Sequence, residues 1–466
     1  MRLPYSCRTL ASSRRLLGAL GCFVGASLLW SGAAGAQEDD EDLEPGGIDV
    51  VQVDGLLDPS NAALIRDVVR ESEREGSSLV VLQLDASGSV DIDVDNLVDI
   101  VTEAEIPIGV WVGPSGADAR GAAVLLALAA PVAAVAPGAG IGSAYPVELD
   151  DTSAWSTEEI TDTLVELQER NGRSVDVADV IARRVSARDA DRTGLTNGTQ
   201  PTLGDFIVSF DGDTVTTAAG NVTLDVADIV GEGDQQRLAP NQVVRFHKLG
   251  LGQQVAHTLN ASWVAYFLFV AGFSLIVFEF FTVGVGIAGA IGAIALAGAC
   301  FGFSHLPVAP WALALLLFGI IGMAVDVQAG AIGAWTFIGG VMLIVGSVWL
   351  YDGSSRLDPT WWVIVLVCGL TILFMVAGMS SMVRSRFSTP TVGREDLVGE
   401  MGTAEVDVAP DGVVRIRDAL WRAHTNRATP IGAGNAVRVV AVDGVMLEVE
   451  PEEGGARDYR DRARRG

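Results

Sequence analysis

Gly113-Pro-Ser-Gly-Ala-Asp-Ala-Arg-Gly121-Ala-Ala123, with its continuation to Ala136-Pro-Gly-Ala-Gly-Ile-Gly-Ser-Ala-Tyr-Pro146, decides how the first half of the chain folds. It is a glycine-rich turn, a small-residue helix start, an apolar strand and a second glycine-rich turn. Two such turns bring backbone N–H groups and a helix N-terminus around one reacting carbonyl. Peptide cleavage at such a place also needs a nucleophile with a base beside it.

Outward from this stretch the pattern is α/β. Ile48–Val53 is a strand by pattern, Pro59-Ser60-Asn61 opens a helix reaching to about Glu75, and Ser78–Leu84 is a short apolar strand. Ile92–Ala104 is a second helix and Ile108–Val112 another buried strand. Strands alternating with helices imply a parallel sheet covered on both faces. Ligand sites in such sheets lie beyond the strand C-termini, which is where the pattern puts Asp85–Ser89, Gly113–Ala117 and Pro137–Gly142. Further on, Ser156-Thr-Glu-Glu159 is a capping box opening a helix that Asn171-Gly172 ends. Asp176–Arg188 is expected as one more helix. Gly194–Thr223 alternates like edge strands, with turns at Asp211-Gly212 and Gly220-Asn221.

Composition excludes a single soluble domain, because 466 residues with 49% hydrophobic content must hold membrane spans as well. The formal charge of −27 sits in Gln37–Asn260, which argues against nucleic acid and against docking of that domain on anionic lipid. Cys7 and Cys22 fall in the leader, Cys300 and Cys368 in apolar spans, so the acidic domain has no disulfide framework and no thiolate metal site. No cofactor is implied.

Residues 1–36 have the basic, apolar and small-residue regions of a secretory signal, and 37–47 form an acidic linker. The α/β domain occupies 48–235. A membrane domain of about five helices occupies 260–383, with spans near 263–281, 285–304, 308–325, 331–350 and 361–383. A leader of this kind starts the mature chain outside, so five spans put the C-terminus in the cytoplasm. Arg384 and Arg386 agree with positive-inside, whereas Arg245 and Lys248 do not. Glu279, Gly286 and Gly292 recur as Asp326, Gly333 and Gly339, a repeat with glycines spaced for close helix approach. Glu279 and Asp326 have two readings, a functional polar pair or proton site, and water-exposed interfacial carboxylates. Residues 395–453 have the short alternating runs of a small closed β-barrel, with a hairpin at Asp443-Gly444, and 454–466 are expected to be disordered.

Four stretches in this order resemble the long form of the NfeD family: Pro114-Ser-Gly-Ala117, Ala136-Pro-Gly-Ala-Gly-Ile-Gly142, Phe278–Gly286, and Leu397–Ala404 with Val437-Arg-Val-Val440. The resemblance implies a ClpP-like (crotonase-like) serine peptidase domain, an NfeD membrane region and an OB-fold. It also implies a Ser–Lys dyad that cleaves peptides, often those of a stomatin-like (SPFH) membrane partner. This sequence departs from the family where chemistry would occur. Gly121 stands at the nucleophile position. The base lysine is expected in Ser153–Asp162, yet no lysine or histidine occurs between Gln37 and Val244, and arginine stays protonated. The oxyanion turn, Thr-Pro-Gly-Gly in the family, is Ala86-Ser87-Gly88-Ser89. Gly88, Ser89, Gly116, Gly138 and Gly140 are the expected cleft residues. Ser115 and Ser143 are the fallback nucleophiles, with Asp118 or Asp85 as conceivable bases.

These features point to a multi-pass cell-membrane protein with its ClpP-like domain extracytoplasmic and its OB domain cytoplasmic. The degenerate peptidase domain is expected to serve as a non-catalytic scaffold or peptide-binding platform for a stomatin/SPFH-type protein, in a homo-oligomer that binds no nucleic acid. The alternative is an active membrane-bound serine endopeptidase with a relocated nucleophile. A third class, a carrier using Glu279 and Asp326, is disfavoured by the few other polar residues in the spans. In the barrel, Arg415, Arg417, Arg422 and Trp421 are the best candidates for a nucleic-acid groove, but they sit among acidic residues.

Overall fold

The computed structural model describes residues 46–173, 176–231, 236–281, 286–329, 333–381, 395–425 and 430–452. The expected signal, most of the acidic linker and the tail lie outside these residues. The chain forms two compact units, residues 1–383 and 384–466.

In the first unit β1 (Ile48–Leu57), α1 (Pro59–Glu75), β2 (Leu79–Ser89), α2 (Val94–Thr102) and β3 (Ile108–Val112) follow the expected alternation. β4 (Asp118–Ala119), α3 (Ala122–Ala129), β5 (Val132–Val135), β6 (Gly140–Ile141), α4 (Thr157–Arg170), β7 (Val185–Ser186) and β8 (Val244–His247) complete the sheet and its cover. Helix starts are fixed by side-chain oxygens on free N–H groups: Asp58 caps α1, Asp93 caps α2, and Ser156 with Glu159 makes a reciprocal box on α4.

The eight-stranded sheet runs β8-β1-β2-β4-β6-β7, with β3 on β2 and β5 on β3. β2 serves two rows. Its first half pairs with β3 from Val80↔Ile108 to Leu84↔Val112, and its end pairs with β4 at Ala86↔Ala119. Every pairing is parallel except β6–β7. β3 and β5 are buried at every residue, as parallel strands covered on both faces must be. The edge strand β8 is fixed to β1 by buried Asp49, which accepts from Arg245 Nε (2.7 Å), Ser72 Oγ (2.7 Å), Ser77 Oγ (2.6 Å) and His247 Nε2 (2.9 Å).

Three sequence expectations need correction. Asp85–Ser89 is the end of β2 and not a loop, because Leu56–Leu57 continue to pair with Gly88–Ser89. Asp176–Arg188 is not one helix: Val177–Ala182 stops at Arg183, whose extended backbone (φ −144°) lets Val185–Ser186 pair with β6 before Ala187–Arg192 begins. Within Gly194–Thr223, Leu203–Ser209 is a helix capped by Thr202 that buries Phe206 and Ile207. The hairpin Thr214–Thr217/Gly220–Thr223 is antiparallel, but its turn falls at 218–219, and Gly220-Asn221, expected as the turn, open the return strand opposite Thr217 and Thr216.

α5 (Leu251–Asn260) leads into α6 (Ser262–Phe281), α7 (Ile287–His305), α8 (Pro310–Ala329), α9 (Ala334–Val348) and α10 (Trp361–Leu373), the last prolonged by a π turn over Phe374–Met379. Four of these helices are long and apolar enough to cross a membrane: α6, α7, α8 and α10 with its extension. The apolar helix α9 is shorter, with 15 residues, or about 22 Å at 1.5 Å per residue.

α6–α7 and α8–α9 are two copies of one antiparallel hairpin. Gly272 lies against the Gly292 carbonyl and Gly319 against the Gly339 carbonyl, both leaving 2.8 Å for an added Cβ, so the backbones touch where only glycine fits. Glu279 accepts from the N–H groups of Gly286 (3.0 Å) and Gly289 (3.2 Å); Asp326 accepts from Gly333 (2.9 Å) and Thr336 (2.6 Å). Each carboxylate caps the next helix of its own hairpin, where free N–H groups and the helix dipole favour negative charge. That placement accounts for both acids as helix caps.

The second unit is a closed barrel in the order β9-β10-β11-β13-β12, built from β9 (Met401–Ala404), β10 (Asp411–Ile416), β11 (Ala419–His424), β12 (Ala436–Asp443) and β13 (Met446–Pro451). Val414, Ile416, Val437, Val439, Leu447 and Val449 fill it, and Trp421 packs half-buried against them. Arg415 pairs with Glu405 (3.1 Å), and Arg417 with Asp396 and Glu400 (2.7 Å each).

Candidate functional site

The glycine turns do converge, at the junction of β4, α3 and the end of β2. Gly121 is the N-cap of α3, with φ 58° and ψ −129°. This is a sharp strand-to-helix turn, the geometry that presents a nucleophile in enzymes built on such an elbow. Here the position is closed. A Cβ on Gly121 would stand 2.7 Å from the Val147 carbonyl oxygen and 3.0 Å from that of Pro146. The Gly121 N–H donates to the Ser143 carbonyl (3.0 Å).

The chain's own segment Ser143–Leu149 fills the cleft. Ala144 N–H donates to the Val180 carbonyl (2.9 Å) and Leu149 N–H to the Ser89 carbonyl (2.8 Å). Glu148 forms a parallel bridge with Ser89, extending the sheet edge as an added peptide strand would. Ser89, fully buried, donates its hydroxyl to the Val147 carbonyl (2.6 Å). Leu149 lies on Gly88, where an added Cβ would meet its side chain at 2.6 Å. Ala144, Val147 and Leu149 are buried. The expected oxyanion residues therefore hold an internal strand.

The membrane region holds the same segment from outside. Ser354, between α9 and α10, donates its N–H to the Leu149 carbonyl (2.9 Å). Arg356 donates to the Ser143 hydroxyl and, at 3.4 Å, to the Tyr145 carbonyl. Burial and the nearby Arg120 charge both lower the proton affinity of Arg356. On the same segment, burial pushes the Glu148 carboxyl up to about 7, against the lowering effect of the Trp155 indole N–H (3.2 Å) and with repulsion from Asp150, Asp151 and Asp95.

Ser115 is exposed, its hydroxyl packed on Gly138, where an added Cβ would sit 2.6 Å away. Ser143 faces a guanidinium, which cannot take a proton. Among the described residues no histidine, lysine or carboxylate hydrogen-bonds either hydroxyl. Asp118 is engaged by Arg120 (2.6 Å) and Arg184, and Asp85 accepts from the Asp118 N–H (3.0 Å). Gly140 lies under the Arg184 side chain, and Gly116 has open space around it. Ser153–Asp162, the expected place of the base, supplies only a turn and the start of α4. Neither Arg356 nor the occluding role of Pro146–Val147 was expected. One signal existed: Arg356 is the only lysine or arginine between Lys248 and Arg384.

A second polar cluster lies at the membrane end of β1. Asp58 accepts from Asn61 N–H (3.0 Å), His257 Nδ1 (3.1 Å) and Asn260 Nδ2 (2.9 Å). Burial alone would raise the Asp58 carboxyl, but these hydrogen bonds bring it below its ordinary range. The bond to Asp58 raises His257 in turn.

Residues 263–380 match the NfeD integral membrane domain, and 394–451 match the NfeD-like C-terminal, partner-binding domain. The chain therefore carries the two NfeD domains in the family's order. The chain is 22% identical over 429 residues to the membrane-bound protease PH1510 of Pyrococcus horikoshii, covering 88% of this chain and 94% of the relative. Among solved structures it is similar to the 1510-N membrane protease specific for a stomatin homolog from the same organism (18% identity, 45% of this chain, 96% of that one, TM-score 0.37). A further similarity is to the C-terminal domain of its stomatin operon partner protein 1510-C (35% identity, 13% of this chain, 97% of that one, TM-score 0.13).

Proposed function

We propose that this NfeD-family protein is a non-catalytic membrane scaffold whose peptidase-like domain carries a self-filled cleft, and that it partners a stomatin/SPFH-type membrane protein. The observation that carries the first half is the closure of Gly121 by the Pro146 and Val147 carbonyls. A nucleophile there would need both a side chain and a displaced strand. Serine attack needs a base within hydrogen-bond reach, and the two fallback serines face an arginine and a glycine. The partner half rests on the partner-binding character of the family that residues 394–451 match and on the resemblance to the long-form family. In this reading the α/β domain lies outside the cell and the barrel in the cytoplasm, and the protein is a homo-oligomer.

Purification of the full chain from its native membranes, with and without residues 395–453, tests the partnership. Recovery of a stomatin-like protein with the full chain, and its loss on truncation, is expected. Equal recovery in both, or none in either, would overturn it.

A further inference from the structure

α5 is amphipathic in an unusual place. It stands between the α/β domain and the first span, with one residue separating it from α6. His257 fixes one face upward, on Asp58 (3.1 Å) and beside Gly55 of β1. Leu259 fixes the depth: its side chain and carbonyl lie on Gly298 and Gly302 of α7, within two turns of that helix's end at His305. At 3.6 residues per turn, Val255 projects about 160° and Leu251 about 120° away from His257. Both are exposed, Leu251 at 85% and Val255 at 59%. The apolar face therefore points away from the α/β domain, at the level where spans enter the bilayer. Trp263, at the start of α6, is exposed as well.

Charge agrees with this placement. In a chain with 58 acidic residues there is no Asp or Glu from Gln235 to Phe278, and the only lysine, exposed Lys248, stands just before α5. A helix with one apolar face and no negative charge beside a span suits the headgroup layer. Lysine reaches lipid phosphates from such a place. We propose that α5 lies in the bilayer interface, with Leu251 and Val255 immersed at the boundary of headgroups and acyl chains, so that the α/β domain is seated on the membrane surface. This seat reverses, for one short stretch, the general repulsion between the acidic domain and anionic lipid.

The test uses the full chain in vesicles of phosphatidylcholine and phosphatidylglycerol, with the photoreactive residue p-benzoylphenylalanine replacing Leu251 or Val255. Ile294 in mid-α7 and Glu71 on α1 serve as lipid-facing and water-facing references. Mass spectrometry should find lipid adducts at 251 and 255 in yields comparable with 294, and none at 71. Adducts to a second copy of the chain, or yields as low as at 71, would overturn the proposal.

Discussion

Gly121→Ser places a side chain at the expected nucleophile position, and the geometry predicts that it damages the protein without making it an enzyme. The added Cβ arrives 2.7 Å from the Val147 oxygen and 3.0 Å from the Pro146 oxygen, both backbone atoms. A non-glycine residue at φ 58°, ψ −129° adds strain of about 1–3 kcal/mol. Moving Pro146–Val147 aside also breaks the Ser89–Val147 hydrogen bond, worth about 1 kcal/mol net. The sum is about 2–4 kcal/mol. At about 2–4 °C per kcal/mol for a domain of this size, the thermal midpoint of the full chain in detergent should fall by roughly 5–15 °C. Gly121→Ala should fall as far, because the Cβ and not the hydroxyl is responsible. A Gly121→Ser protein with the parent's midpoint that also labels with a fluorophosphonate probe would refute the reasoning, since the cleft would then open at no cost.

Arg356→Ala removes the membrane-side clamp on Ser143 and Tyr145. Hydrogen exchange should rise at 143–149 and stay unchanged in β3, and unchanged exchange in both would count against the clamp. Folding raises the Glu148 carboxyl from 4.5 to about 7, so the folded form holds the proton more tightly than the unfolded chain. Its contribution to stability is then greatest below pH 4.5, declines as pH rises to about 7 and is level beyond. Glu148→Gln should leave protection of 143–150 unaltered at pH 5 and increase it at pH 8; identical pH profiles for variant and parent would show that Glu148 is not involved. Gly319→Leu meets the Gly339 carbonyl at 2.8 Å, whereas Gly369→Leu has nothing within 4 Å. Only the first should lower the midpoint in detergent, and equal effects would contradict the glycine-contact hairpin.

The local parts of the fold were legible because their causes are local. The box of Ser156 and Glu159 needs residues three apart, the β3 run is apolar throughout, and the 47-residue offset from Glu279 to Asp326 marks a duplicated hairpin before any contact is known. The break at Arg183 was hidden, since it is set by pairing with β6, more than forty positions earlier. That Gly121, at the expected nucleophile position, offers no side chain was also visible. That Val147 blocks it was not, because Val147 is an ordinary apolar residue whose position comes from Ser89 and Val180. Ser354 and Arg356 act across two hundred residues of chain, a distance over which no sequence period carries information. His257 is one of four histidines in the sequence and finds Asp58 only through the packing of α5.

We propose above all that the peptidase-like cleft holds no competent serine. The most direct measurement is fluorophosphonate labelling of the full chain in its membrane, beside the Ser115→Ala and Ser143→Ala variants, with an active serine hydrolase as reference. No labelling is expected in any of the three proteins, while the reference labels fully. Labelling of the parent that disappears in either variant would contradict it.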